Sequence, residues 1–330
     1  MKNNNKMGLS CRLEKEHSSL FFSIMDCLNN KFISNNWHDI FDFYSVFENT
    51  RELYNWMKER PRGTANIHEV DGYKDVIVVI PTADFNGKYA RECREDIFKG
   101  LHIIFVESGN VPDPYFNYAH NCNVGIIKAL EYKPKWVVVS NDDIYKIDDV
   151  SVLVREMAKI DNSRYKCVFT DPPGKYHSMR SKLAKPNIIR NILYSFSNKL
   201  KSSLILEKKF GVTLLDTKSK GIVSLLFTKG YKHLSIADFG IFSSKFLEEM
   251  NGNLFDETYI NAAEDVDISL RLTCTKEPYT FVKFKLGDYI GSSLGNRGAR
   301  RLRDIASNSY LNHKIKNGAY CDSGKCSESK

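Results

Sequence analysis

The sequence lacks any uninterrupted apolar run of about 18 residues, the length a membrane-crossing helix needs. Its opening stretch, MKNNNKMGLSCRLEKEHSS, has no apolar segment of the signal-peptide type, so the expected compartment is the cytoplasm. No CxxC pair occurs among the eight cysteines, Cys11, Cys27, Cys93, Cys122, Cys167, Cys274, Cys321 and Cys326. The closest two, Cys321 and Cys326, stand in a polar Gly/Ser stretch without a neighbouring His, which favours a loose tail over a zinc site. Scattered thiols suit a reducing compartment. Neither GxxxxGK[ST] nor GxGxxG is present; the one glycine-spaced stretch, Gly287 to Gly298, comes late and has the wrong spacing. A P-loop ATPase and a dinucleotide fingerprint are therefore excluded. A phosphate-bearing ligand would need its charge neutralised by other means, and a divalent metal held by carboxylates is the obvious one.

What is present is an ordinary globular composition: 330 residues, 42% hydrophobic and 27% charged, enough for one large α/β domain with appendages. The net charge of +8 is local. Between Gly174 and Lys220 there are eleven Lys/Arg against two Asp/Glu, so the rest of the chain is close to neutral.

Residues 1–70 carry apolar positions at helical spacing, as in FFSIMDCLNNKF and DIFDFYSVFENTRELYNWMKER, and stop at RPRG; they predict a small N-terminal helical extension. From Asp75 the texture changes. DVIVVIPT (75–82), LHIIFVES (101–108) and KWVVVSND (135–142) predict buried strands, with GKYARECREDIFKG and YFNYAHNCNVGIIKALEY as the helices between them. Strand, helix, strand, helix, strand implies right-handed crossovers and a largely parallel, Rossmann-like sheet. Ligands of such sheets bind beyond the carboxyl ends of the strands, where this chain places Pro81-Thr82-Ala83-Asp84, Glu107-Ser108-Gly109 and Asn141-Asp142-Asp143. A basic helical insertion (about 174–232) follows, then an apolar strand, a helix and a second acidic cluster, AEDVD. YTFVKFKLGDYIGSSLG predicts one more strand ending at Asp288, before a basic, polar C-terminal tail (296–330).

WVVVSNDDIY runs a buried strand straight into carboxylates. On an extended segment side chains at i and i+2 point the same way, so Asn141 and Asp143 can face one ligand while Asp142 turns elsewhere. Oxygen donors of this kind suit Mg²⁺ or Mn²⁺, with diphosphate oxygens completing the shell. The structural alternative is a turn, or a helix N-cap before DDVSVLVREM.

Taken together, these stretches resemble the family-2-like, GT-A-fold glycosyltransferases that use nucleotide sugars. VIVVIPTADFN is similar to their opening strand and loop, IIFVESGN to their second strand with its acidic end, and NYAHNCNVGIIKAL to their N-x-G helix, here Asn123 and Gly125. NDD takes the DxD position, and FDETYINAAEDVDISLRL resembles the family's late acidic segment. The resemblance spans roughly residues 75–295 and implies a GT-A domain over 71–295. Asn141 stands where the first Asp is usual, Glu107 where an Asp is usual, and Asp288 best matches the family's late His-type metal ligand.

The resemblance implies a metal-dependent, inverting transfer of a sugar from a nucleotide-sugar donor to an acceptor hydroxyl or phosphate, through an oxocarbenium-like transition state. Asp143, with Asn141 or Asp288, would hold the divalent cation that neutralises the departing diphosphate. Asp265 matches the general base and Glu264 an acceptor-orienting carboxylate. Pro81, Thr82, Asp84, Glu107, Asn123, Asn141 and Asp142 would line the donor. Loop capping is the alternative for Asp84 and Glu107, a turn role for Asp171 and Asp238, and a solvated face or first helical turn for EDVD, Asp267 included. A retaining GT-A transferase would need no base at Asp265. A metal-dependent nucleotidyltransferase would show a Gly-rich basic loop after the first strand, where only Gly87 and Lys88 occur. A nucleic-acid-binding protein would explain the basic stretch, but no specific nucleic-acid motif is found.

The acceptor expected is a glycan, a lipid-linked group or a protein. PNIIRNILYSFSNKLKSSLILEKKFG (186–211) mixes aliphatic residues at helical spacing with Arg190, Lys199, Lys201, Lys208 and Lys209. It can lie on an anionic membrane surface, peripheral on the inner face, or pack on the core with a solvated basic rim.

Overall fold

A computed structural model of the chain describes residues 24–109, 113–170, 176–181, 198–218, 230–236, 239–289 and 297–320. Asp171, Asp238, Cys321, Cys326 and residues 186–197 of the basic stretch lie outside the described residues.

The three predicted strands form: β2 (Tyr73–Thr82), β3 (Leu101–Glu107) and β4 (Trp136–Ser140). β2 pairs in parallel with both others, bringing Thr82 opposite Glu107 on one side and Val79 opposite Val139 on the other. Their β-branched residues alternate between two cores. Ile77, Val79, Ile104, Val106, Val137 and Val139 face one, while Val76, Val78, Ile80, Ile103 and Val138 face the other. Burial on both faces explains why these strands read as continuous apolar runs.

The helix Lys88–Glu92 (α4), extended by a π turn over Cys93–Ile97, packs on the second core through Ala90, Cys93 and Ile97. The helix Tyr118–Leu130 (α5) packs on the first core through Ala119, Cys122, Ile126 and Ala129. Opposite faces are what right-handed crossovers stepping in opposite directions along the sheet, β2 to β3 and then β3 past β2 to β4, require. Gly125 makes the close approach of α5 possible, because a Cβ there would lie 2.3 Å from Val79 Cγ1 and 2.9 Å from Val106 Cγ2.

The full sheet runs β1-β3-β2-β4-β10-β6-β11, with β1 Asn66–Val70, β6 Cys167–Thr170, β10 Phe239–Ser243 and β11 Tyr279–Val282. β1 and β10 oppose their neighbours, while β2, β3, β4, β6 and β11 share one direction. The architecture is mixed α/β, with a mostly parallel sheet between helical layers. Among the described residues no helix is long and apolar enough to cross a membrane.

Four expectations are corrected. Residues 66–70, counted with the helical extension, form the edge strand β1, because NIHEV pairs backbone to backbone with β3. The late strand is broken into β11 and β12 (Leu286–Asp288), and β12 leaves the main sheet to pair antiparallel with β5 (Ile144–Lys146). The basic insertion is only partly helical: its described residues hold a helix, Asn198–Lys209, and a three-stranded sheet of β7 (Tyr176–Ser181), β8 (Leu214–Lys218) and β9 (Gly230–Leu234). The expected tail carries a 20-residue helix, Arg297–Lys316.

That last helix has its partner at the other end of the chain. The predicted N-terminal helices occur at residues 24–33, Trp37–Ser45 and Thr50–Glu59, the last two capped by Asn36 and Asn49 side chains. Phe32, Phe43, Tyr44, Phe47 and Trp56 build an aromatic core with Leu302, Ile305 and Ala306 of the C-terminal helix. The Tyr44 hydroxyl donates to the Leu302 carbonyl at 2.8 Å and accepts from the Ala306 N–H at 3.0 Å, so the extension is pinned to that helix.

Candidate active site

Strand order reverses around β2, since β3 lies on one side of it and β4 on the other; the crevice beyond their carboxyl ends is where open α/β sheets bind ligands. The Thr82 hydroxyl spans it and donates to Asp142 Oδ2 at 2.7 Å. Burial pushes the Asp142 carboxyl up to about 6; the Thr82 hydrogen bond opposes the rise and the neighbouring Asp143 charge adds to it. β4 ends at Ser140, so residues 141–143 form a bend rather than an extended segment, and the i, i+2 argument holds only in part. Asp142 does turn aside, toward Thr82. The N-cap alternative is overturned, because β5 intervenes and Asp149 caps the following helix by accepting from the Ser151 N–H at 3.0 Å.

Tyr118 ties the strand-end bend to the turn that leads into the second acidic cluster. Its hydroxyl donates to Asn141 Oδ1 at 2.8 Å. Burial, Cys122 and the charges of Glu264 and Asp265 push the same phenol well above its ordinary value. Tyr118 is also fixed by its backbone, whose N–H donates to Asn261 Oδ1 at 2.8 Å, while Asn261 Nδ2 donates to the Phe116 carbonyl at 3.2 Å. These bonds hold a strained entry to the helix Glu264–Cys274 (α9): Asn261 and its N-cap Ala263 sit at φ 52° and 69°, the left-handed region that disfavours side chains.

α9 therefore begins with Glu264 and Asp265 in its first turn, as the helical alternative for EDVD requires, but the solvated-face alternative is overturned. Glu264 is 8% exposed and Asp267 7%. Glu264 Oε2 is buried without a hydrogen-bond partner among the described residues. Burial, with the Asp265 charge, pushes its carboxyl up to about 8. On the C-terminal helix Asp304 is pushed up to about 6 by burial, against the pull of Arg300 and Arg303.

Other expected donor residues do different work. Asn123 is a buried clamp: its amide donates to the Phe255 carbonyl at 2.9 Å and to Glu257 Oε1 at 3.1 Å, and accepts from the Phe255 N–H at 3.0 Å. A ligand would have to break that clamp to reach it. Glu107 accepts from the Phe85 N–H at 2.9 Å and pairs with His68 at 2.9 Å, and Asp84 accepts from the Asn86 N–H at 2.9 Å. Both acids thus cap the 82–87 loop. Pro81 is buried within β2, opposite Val106.

Asp288 comes to the bend by backbone. It pairs with Ile144 across β12 and β5, and the Tyr289 N–H donates to the Asp143 carbonyl at 2.9 Å; the Asp288 side chain lies outside the described residues. Among the described residues no three His, Cys, Asp or Glu side chains converge as a metal-holding group.

Sequence reasoning missed Tyr118, the residue that joins the clusters, and the wall beside Glu107. There His68 stacks on Phe85 with centroids 4.5 Å apart, and the Arg94 guanidinium lies 4.8 Å from the same ring. Tyr118, half-buried in the first turn of α5, carries no local signal of that role. No protein-family model matches the chain, and no curated protein matches it.

Proposed function

We propose that the chain is a GT-A-fold glycosyltransferase that moves a sugar from a nucleotide-sugar donor to an acceptor hydroxyl or phosphate with inversion. The observation that carries this reading is Tyr118, whose hydroxyl holds Asn141 of the strand-end NDD bend and whose N–H holds Asn261 in the turn that enters the Glu264-Asp265 helix start. The antiparallel β10 beside β4, and β12 beside the bend, support the GT-A form of the fold.

Asp143, Asn141 and Asp288 would hold a divalent cation, Mn²⁺ or Mg²⁺, which when bound supplies positive charge to the departing diphosphate. What supports a cation here is the chemistry of the bend: the adjacent carboxylates of Asp142 and Asp143 raise one another's cost of ionisation, and a hard cation would relieve it. The protein's own groups do the rest. Asp265, half-buried at the first turn of α9, takes the proton of the attacking hydroxyl. Glu264, buried beside it with its carboxyl pushed up by burial, orients the acceptor. Tyr118 fixes the distance between the two halves.

The test is a screen of nucleotide sugars for nucleoside diphosphate release, with and without chelator, on the wild type and Asp143→Ala. Release that depends on the cation and disappears in the variant is expected. Turnover undiminished by chelator and by Asp143→Ala would overturn the metal role. Retention of anomeric configuration in the product would move the reading to a retaining transferase, with no base at Asp265.

A further inference from the structure

From Ser203 on, the helix Asn198–Lys209 divides its residues sharply between two faces. Ser203, Leu206, Glu207 and, just beyond the helix, Phe210 are buried, packing with the N- and C-terminal helices. Leu204 and Ile205 are turned outward at 42% and 59% exposure, and Lys208 and Lys209, one turn further on, are exposed beside them. Ile205 is the most exposed of the large apolar side chains described. An ordinary amphipathic helix would carry polar residues there.

Charge is sorted in the same way. The helix carries four lysines and one acid, and that acid, Glu207, is buried, with Arg301 of the C-terminal helix 3.8 Å away. No carboxylate of this helix is left on the outer face. We infer that this face, centred on Leu204, Ile205, Lys208 and Lys209, docks on an anionic phospholipid surface. The aliphatic pair enters the boundary between headgroups and acyl chains, and the ammonium groups stay among the lipid phosphates.

Composition separates this occupant from others. Single-stranded nucleic acid is held by exposed aromatic rings as well as cations, and among the described residues of this segment (198–211) the one aromatic side chain, Phe210, is buried. Protein interfaces favour aromatic residues and Arg and are depleted in Lys. The docking is independent of the transferase reading.

Flotation of the full chain with vesicles of phosphatidylcholine alone, and with added phosphatidylglycerol, tests the inference. The wild type should float only with the anionic vesicles and come off in high salt. Lys208→Gln with Lys209→Gln should weaken binding about 30-fold, from about 1 kcal/mol per basic residue. Leu204→Ser with Ile205→Ser should also weaken it, at unchanged thermal stability, since both side chains face outward. Equal flotation with both vesicles, flotation with neither, or wild-type binding by the Leu204/Ile205 double variant would each overturn the docking. Retardation of a single-stranded RNA oligomer without flotation would assign the face to nucleic acid instead.

Discussion

The Thr82 hydroxyl and Asp142 Oδ2, 2.7 Å apart, are joined across the crevice between the ends of β2 and β4. The bond links two strands that also pair in parallel lower down, so it closes the mouth of the sheet where no backbone pairing between them remains. It also opposes the burial that raises the Asp142 carboxyl to about 6. Thr82→Val keeps the shape and removes the donor. A stability loss of about 1.5–3 kcal/mol is expected by urea unfolding, as for a hydrogen bond to a charged group. Thr82→Ser, which keeps the hydroxyl, should lose much less; a loss in Thr82→Val no larger than that in Thr82→Ser would mean that the hydrogen bond contributes little.

Asp265→Asn preserves volume and helix start but cannot accept a proton. Nucleoside diphosphate binding, measured by calorimetry, should stay within a few-fold of wild type, while sugar transfer falls by about 10²–10⁴. Near wild-type transfer would place the base elsewhere. Loss of both binding and transfer would mean that the strained 261–263 turn had collapsed rather than that a base had been removed.

Much of this arrangement was legible in the sequence because the β2, β3 and β4 runs are buried on both faces and admit few other conformations. The strand-end acids could be located for the same reason. β1 escaped notice because NIHEV is exposed along much of its length and acquires strand form by pairing with β3, a tertiary contact no local pattern records. The C-terminal helix was hidden by its polar composition; what stabilises it is a stripe, Leu302, Ile305, Ala306 and Leu311, whose partners lie at the opposite end of the chain and in α9. Tyr118 could not be read as the joining residue, because its role depends on the distance between two clusters far apart in sequence.

Glu264 predicts a pH dependence whose sign follows from its environment. Its carboxyl is raised from 4.5 to about 8 by burial and by Asp265, with Asp304 adding to the rise and Arg300 opposing it. Between those values the folded state holds a proton that the unfolded state does not, so stability falls as pH rises through that window. Glu264→Gln, permanently neutral, should lose this part of the slope. Thermal midpoints measured from pH 5 to pH 8 should decline less steeply in the variant, about one proton's worth of linkage being removed. Parallel curves would show that Glu264 is ionised throughout.

Lys314 of the C-terminal helix lies between two carboxylates, 2.6 Å from Asp267 and 3.2 Å from Asp256. Its ammonium is also 5.4 Å from the Tyr259 ring centre and 5.9 Å from that of Tyr320, and both tyrosine hydroxyls donate to Asp267. Asp267 stands in the first turn of α9, two residues beyond the proposed base, so this cluster anchors α9 to the C-terminal helix. Removing the cation alone leaves Asp267 buried with no opposite charge in contact, and Lys314→Met should cost about 3–5 kcal/mol. Removing both charges, Lys314→Met with Asp267→Asn, should recover a large part of that loss, since the amide still accepts from the tyrosines. The double-mutant cycle, read by urea unfolding, should give a coupling of about 1–3 kcal/mol. Additive losses would mean that the tyrosine hydrogen bonds alone sustain Asp267, and that the C-terminal helix is held by its apolar stripe.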